Sequence, residues 1–329
     1  MQEDCGACSF LSVNFMSKLS RGSADDLATT VILASDKETF LVPAMNVRMW
    51  EHNATQRNLN KLYSYGYKFI GPIDGEMACG EYGKGKMSSP RQIVSYLEKY
   101  FKQKDYLKKK NIKATVTTGP TREYIDPVRY ISNESSGKQG YEIALELSRL
   151  GIKTTLISGP TNINYSKEIK VKKIISGKQM LSEVKKNLPT DIAVCTAAVS
   201  DFTPLLKNKQ KLKKKLNLSE IKLEKNPDIL EFLGKNNRFK PKLLVGFSAE
   251  TENLLKNSIE KMREKYCDII IANDVSNKET GFNSEYNEVI VIDKNGETQK
   301  IKKNSKKFVA SIIAKKIVNS FLDIKKRLN

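Results

Sequence analysis

The residues equipped for chemistry fall in short clusters bordered by glycine, proline and small side chains. Thr117-Thr118-Gly119-Pro120-Thr121-Arg122 is followed by Arg129 and then by Ser132-Asn133-Glu134-Ser135-Ser136-Gly137. Hydroxyls and backbone N–H groups ahead of a helix make an anion cradle, for which Gly119, Ser135, Ser136 and Gly137 are the candidates. An ordinary capping cluster is the plainer alternative. Cys195-Thr196-Ala197-Ala198-Val199-Ser200-Asp201 lets a flat ring approach the backbone, and Asp201 suits a metal, a ribose, a base or a turn cap equally well. Lys207, Lys209, Lys211, Lys213, Lys214 and Lys215 form a run that either carries cations to a triphosphate or is a solvated surface. Asn226-Pro227-Asp228-Ile229 reads fully as a helix start. Lys261 and Lys265 are spaced i,i+4, and Asn273-Asp274 follows a strand end. Earlier in the chain, Cys79 lies between small residues, where a thiol can transfer a proton or pack as a small hydrophobe.

These clusters need elements to position them. Ala114–Thr118, Thr154–Ser158, Asp191–Ala197, Leu243–Phe247 and Asp268–Ala272 read as strands. Tyr141–Leu150, Gln179–Leu188, Pro227–Leu233, Asn253–Tyr266 and Phe308–Leu322 read as helices. A hairpin is expected around Asn295-Gly296. Strands alternating with helices predict an α/β fold with a mostly parallel sheet covered on both faces, and ligands at the carboxyl ends of its strands. Upstream, Phe40–Ala44 and Tyr67–Ile70 read as short strands flanking a helix over Ala54–Tyr65. The basic stretch Lys99–Lys113 reads as a helix end running into a linker. It sets two domains, residues 1–104 and 105–329.

The chain has 329 residues, and Lys+Arg 57 against Asp+Glu 37 gives +20. An anionic partner is expected, either nucleic acid or a phosphorylated small molecule. No zinc finger, RNP motif or basic zipper supports the former. No GxxxxGK[ST] occurs, and Gly80, Gly83 and Gly85 do not spell the dinucleotide fingerprint. Five widely spaced cysteines argue against a disulfide framework. Cys5 and Cys8 form a lone CxxC, expected to be two reduced thiols in an irregular N-terminus. With no apolar run near the roughly 20 residues that cross a bilayer, and an acidic start, a cytoplasmic protein without a membrane partner is expected.

In order, the motifs resemble those of the bifunctional coenzyme A biosynthesis enzymes, phosphopantothenoylcysteine decarboxylase fused to phosphopantothenate–cysteine ligase. Pro43-Ala44-Met45-Asn46 is similar to the decarboxylase substrate loop, and Ala78-Cys79-Gly80-Glu81 with Gly85-Lys86-Met87 to its flap. Thr118–Arg122, Asp126–Arg129, Ile131–Lys138, Ala197–Phe202, Lys211–Lys214, Asn226–Ile229, Gly246–Thr251 and Ala272–Val275 with Gly281-Phe282 are similar to the ligase core. The resemblance implies a Rossmann-like ligase domain preceded by a partial flavodoxin-like flavoprotein domain. It implies CTP, Mg²⁺, 4′-phosphopantothenate and L-cysteine for ligation through an acyl-cytidylate, and FMN for decarboxylating phosphopantothenoylcysteine. It assigns CTP to Cys195, Thr196, Ala197, Asp201, Lys211, Asn226, Pro227, Asp228, Ile229, Phe247, Lys261 and Lys265. It further assigns the acyl-cytidylate step to Asn133, its support to Arg129, the substrate carboxylate to Asn46 and protonation of the enethiol to Cys79.

In the family, a strand with a flavin-phosphate loop and a catalytic histidine precede these motifs. Both are expected upstream of Met1, and His52 is not in that histidine's place. A chain that ligates but does not decarboxylate is therefore expected, the alternative to full bifunctionality being a ligase with an inert remnant. A dimeric ligase and a trimeric decarboxylase are the implied assemblies. An NAD(P) oxidoreductase and a nucleic-acid module lack their motifs here.

Overall fold

The computed structural model describes residues 5–77, 80–213, 220–276 and 284–328, and the chain divides into two compact units between Lys104 and Asp105. In the first unit, β1 (Cys5–Leu11) leads into α1 (Val13–Arg21), whose first turn is capped by Ser12 Oγ accepting from Phe15 N–H at 3.2 Å. Then come α2 (Leu27–Ala34), β2 (Glu38–Pro43), α3 (Val47–Glu51), α4 (Asn53–Tyr65), β3 (Lys68–Phe69), the hairpin β4 (Ile73–Glu76) and β5 (Tyr82–Lys86), and α5 (Pro90–Lys109). Strands β1, β2 and β3 form a parallel sheet in that order. Leu11, Met16, Leu19, Leu41 and Leu62, fully buried, form its core with Trp50 and Leu59. Glu38 is held by Lys68 at 3.1 Å, Lys104 at 2.9 Å and the Tyr100 hydroxyl at 2.8 Å.

Two expectations are corrected here. Cys5 and Cys8 lie in a strand, with Cys8 paired to Phe40, because the run ending at Phe10-Leu11 finds a parallel partner that local pattern does not reveal. The basic stretch after Lys99 is no linker as far as Lys109, since α5 continues through it. Tyr100 and Leu107, seven residues apart and both buried, give the stretch one apolar face under its lysines.

The second unit follows with β6 (Lys113–Thr118), the hairpin β7 (Arg122–Tyr124) and β8 (Tyr130–Ser132), α6 (Lys138–Arg149), β9 (Lys153–Ser158), β10 (Lys170–Lys173), α7 (Gly177–Lys186), β11 (Ile192–Cys195), β12 (Phe202–Pro204), β13 (Leu223–Lys225), α8 (Ile229–Gly234), β14 (Leu243–Glu250), α9 (Leu254–Glu264), β15 (Ile269–Asp274), β16 (Tyr286–Asp293), β17 (Thr298–Ser305) and α10 (Lys306–Leu328). One sheet runs β10-β9-β6-β11-β14-β15-β16-β17. Its first six strands are parallel, and the last two add antiparallel. The stretches Ile192-Ala193-Val194 and Leu243-Leu244-Val245 of the central strands are buried at every residue, as in strands covered on both faces. Parallel alignment brings the carboxyl ends of β6, β11, β14 and β15 to one edge, and the loops leaving them share that edge.

Helix α6 lies unusually close to that edge. A Cβ on Gly140, in its first turn, would land on the hydroxyls of Thr196 and Thr118. Glycine to alanine inside a helix normally stabilises by about 1 kcal/mol. Overpacking against the ends of two core-buried strands costs roughly 1–3 kcal/mol and dominates here. Gly140→Ala is therefore expected to lower the urea midpoint of the chain. A midpoint equal to or above that of the parent chain would show that α6 has room to spare.

Candidate active site

At the carboxyl edge of the second unit's sheet lies a cleft of about 820 Å³. One wall is the start of α6. Gly137, at φ +72°, is its N-cap residue and has no side chain to close the first turn, so the leading N–H groups of the helix are left for a ligand. Thr118 Oγ1 donates to the Gly137 carbonyl at 2.7 Å, and Gly137 N–H donates to Ser135 Oγ at 3.3 Å, which fixes the turn. Ser135, Ser136 and Gly137 all line the cleft.

The opposite wall leaves β11. Thr196 Oγ1 donates to the Thr117 carbonyl at 2.7 Å, so the stretch Cys195–Ala198 follows the end of β6 with only small side chains facing the space. Asn133 Nδ2 donates to the Val199 carbonyl at 3.1 Å and ties the two walls together. Asn226 Nδ2 donates to the Ser200 carbonyl at 2.8 Å, which leaves its Oδ1 buried without a donor. Asn273 Oδ1 is in the same condition, and both residues line the cleft. Such acceptors are costly unless a ligand supplies N–H or O–H groups. Cys195 packs against the core cluster that contains Cys267. Burial pushes its thiol well above the usual range, so it is a neutral wall and not a nucleophile.

The cationic floor is unevenly compensated. Asp228 caps α8 by accepting from Glu231 N–H at 2.8 Å and pairs with Lys265 at 3.1 Å. Glu231 also pairs with Lys265, at 3.0 Å; Lys235 and Lys265 together bring its carboxyl down to about 2. Lys261 makes no ion pair with a described residue, and Asp201 stands exposed at the mouth. Phe247, in the second half of β14, supplies an apolar contact surface. At the α6 end sits Lys306, 6% exposed. Burial first, then neighbouring Lys138, lowers its ammonium to about 8. Gln139 joins Lys306 to Asn287, donating to the Lys306 carbonyl at 3.2 Å while accepting from Asn287 Nδ2 at 3.1 Å.

Among the expected site residues, Asn133, Ser135, Ser136, Gly137, Cys195, Thr196, Ala197, Asp201, Asn226, Pro227, Asp228, Ile229, Phe247, Lys261 and Lys265 come together here. Three do not line the cleft. Gly119 is backed by Thr161 and Gly159, where a Cβ would meet Thr161 Cγ2 at 2.9 Å, so it shapes the turn behind the cradle. Arg129 is occupied by Asp126 and the backbone of Leu212, and Lys211 is exposed beside that same Leu212. Lys214, Gly281 and Phe282, like Cys79, lie outside the described residues. In the first unit, Asn46 Oδ1 accepts from Arg48 N–H at 2.8 Å, and its amide donates to the Glu81 carboxylate. The expected carboxylate grip of Asn46 is thus met by a carboxylate of the chain itself. His52 caps α4, its Nδ1 accepting from Ala54 N–H at 3.2 Å.

Cleft residues that sequence reading passed over include Asn287 and Lys306. Lys306 is one lysine among Lys302, Lys303 and Lys307, and nothing local marks it as the one that turns inward.

Residues 109–321 match the model of the DNA/pantothenate metabolism flavoprotein C-terminal domain, and residues 10–102 match the flavoprotein model. The chain is 39% identical over 311 residues, 94% of its length and 76% of the relative's, to the coenzyme A biosynthesis bifunctional protein CoaBC of Haemophilus influenzae. It is 37% identical to the protein of that name from Bacillus subtilis, over 93% of its length and 75% of the relative's. Among solved structures, the C-terminal domain of a CoaBC protein superposes with a TM-score of 0.55 at 36% identity, covering 64% of this chain and 96% of that one.

The buried Lys306 makes a pH-dependent prediction. Its folded-state pKa lies below the ordinary 10.5, so the unfolded chain holds the proton more tightly and burial destabilises the fold. That penalty is complete below pH 8 and fades as pH rises from about 8 towards 10.5, where the group is neutral in both states. Lys306→Met is expected to raise the melting temperature at pH 7, with the gain shrinking across that window. A gain independent of pH, measured by thermal scans from pH 7 to 10, would point to packing instead.

Proposed function

Because the chain belongs to the family of bifunctional coenzyme A biosynthesis proteins, we infer that the cleft of its second unit activates the carboxylate of 4′-phosphopantothenate with CTP and joins it to L-cysteine. The single observation that carries this is the pairing, across one cleft, of an uncapped helix start with buried amide oxygens lacking donors. A nucleotide presents both complements, anionic phosphate oxygens and an amino-bearing base with ribose hydroxyls.

The chemistry then follows from the walls. Leading N–H groups of α6 and the hydroxyls of Ser135 and Ser136 bind phosphate oxygens. The Cys195–Ala197 turn and Phe247 hold the base between small side chains and an aromatic face. Asn226–Ile229 with Asp228 position the ribose and base, with the Asn226 Oδ1 taking a donor. Lys261, Lys265 and Lys211 offset charge on the triphosphate. Mg²⁺ finds no cluster of three or more ligating side chains among the described residues. Asp201, exposed at the mouth, suits it as the single carboxylate beside phosphate oxygens, which is how Mg²⁺ is ordinarily held. In the first step the substrate carboxylate oxygen bonds to the α-phosphorus and pyrophosphate leaves. In the second the cysteine amine bonds to the acyl carbon, CMP leaves, and the amine proton passes to solvent. Asn133, tied to the β11 wall, is placed to orient the acyl-cytidylate.

The flavoprotein family implies FMN and the decarboxylation of phosphopantothenoylcysteine for the first unit. Two polar side chains that follow its strand ends already have partners within the chain. Ser12 is spent capping α1, and Asn46 is shared between the α3 cap and Glu81. A homo-oligomer, dimeric through the ligase unit, is part of this reading.

The test is pyrophosphate release by the purified chain with CTP, Mg²⁺, 4′-phosphopantothenate and cysteine. Release is expected to require all four, and Lys211→Ala is expected to slow it about a hundredfold, the usual loss when one preorganised charge-stabilising group is removed. No release, together with no heat of CTP binding by calorimetry, overturns the assignment.

A further inference from the structure

The Asp126 carboxylate is fully buried and accepts from five donors, divided unevenly between its oxygens. Its Oδ1 takes Val128 N–H at 2.8 Å and Arg129 N–H at 2.9 Å, which closes the turn between β7 and β8. Its Oδ2 takes Arg129 Nε at 3.0 Å, Arg129 Nη2 at 2.5 Å and, from 86 residues further along the chain, Leu212 N–H at 3.2 Å. Arg129 Nη2 reaches on to the Leu212 carbonyl at 3.1 Å. One residue of the lysine run is thus held through both its N–H and its C=O by a single acid–base pair. A second anchor, Asn208 N–H donating to the Ile125 carbonyl at 3.0 Å, fixes the run's approach. Hydrogen bonds to Arg129 hold the Asp126 carboxyl well below the usual carboxylate range, so the pair stays ionised.

We propose that Asp126 is a positioning residue for the ligation reaction, its carboxylate and Arg129 together fixing the backbone at Leu212 so that the ammonium groups of Lys211 and Lys213 are held ready for the triphosphate of CTP. The latch consumes its own charges and none of the lysines'. Asp126 and Arg129 neutralise one another, while Lys207, Lys209, Lys211 and Lys213 make no ion pair with a described residue. The entropy of ordering this segment is then spent in folding and not at each binding event, which is how preorganisation gains affinity. It also gives Arg129 a function in the reaction without contact to the substrate. This rests on the CTP reading of the second unit.

The division of labour between the two oxygens supplies a clean variant. Asp126→Asn keeps an acceptor for the turn but puts an amide donor in front of the Arg129 and Leu212 donors, so the latch breaks and the turn survives. The full chain is compared with D126N and with R129K, which keeps the positive charge but loses the fork. Hydrogen exchange reads the Leu212 amide, and pyrophosphate release reads KM for CTP and kcat. In D126N, exchange at Leu212 and KM for CTP are each expected to rise about tenfold, with KM for 4′-phosphopantothenate within about twofold of the parent chain. R129K is expected to shift both in the same direction. Unchanged exchange, or faster exchange with kcat lowered and KM for CTP unmoved, overturns the proposal, since a merely structural loss removes active molecules without weakening CTP. A parent chain that releases no pyrophosphate with CTP overturns the nucleotide reading and this proposal together, and that result is distinct from a normal parent with an unresponsive D126N.

Discussion

The cleft depends on one close packing, that of α6 against the carboxyl ends of β6 and β11. Gly140 permits it, and the hydroxyls of Thr118 and Thr196 occupy the space a side chain would take. Because α6 sits that low, its N-terminus opens over the sheet edge instead of beside it. Thr118 then reaches the Gly137 carbonyl, and the N–H groups of the first turn face the same space as Asn226, Phe247 and Lys261. A helix standing one methyl group higher would carry its partial positive charge away from those residues. The contact is local, but the relation between the start of α6 and the wall that carries Asn226 and Phe247 hangs on it.

Charge in the cleft is graded. Lys265 is answered by two carboxylates and Lys138 by Glu285, whereas Lys261 has no ionic partner among the described residues. Uncompensated cations repel one another and cost stability in the empty protein. A polyanion reverses the sign of every such term at once. Fixing where the excess lies therefore selects the ligand's charge more sharply than the net +20 of the chain, which solvent largely screens.

Much of this was legible in the residues. The second unit's strand and helix alternation follows from apolar periodicity, because buried parallel strands and amphipathic helices leave strong signatures. Its binding edge follows from which loops leave which strand ends. Ordered motifs marked Asn133, Cys195–Ala197, Asn226–Ile229 and Phe247, which do share a cleft. What was not legible depends on partners distant in the chain. β1 shows itself only against β2, and the second half of α5 reads as a helix end running into a linker because lysines dominate its composition while Tyr100 and Leu107 carry its burial. Lys306 turns inward only because α10 begins where β17 delivers it beside Glu285, Gln139 and Lys138.

Arg129 is the most instructive departure. A lone arginine between two anion-binding clusters invites a role in gripping substrate, and motif order alone reinforces that. The structure gives its fork to Asp126, and the remaining reach goes to a backbone carbonyl. A guanidinium offers five donors in a plane, so it can complete a buried carboxylate and still hold a second segment, which an ammonium does less well. Asp126 in turn is a fully buried acid that would be costly without those donors. Arg129, itself half exposed, thus makes the buried acid tolerable, and their joint product is a fixed backbone between two lysines. On the proposed reading, Arg129 need not approach the nucleotide; it is enough that it decides where the charges on its neighbours are kept.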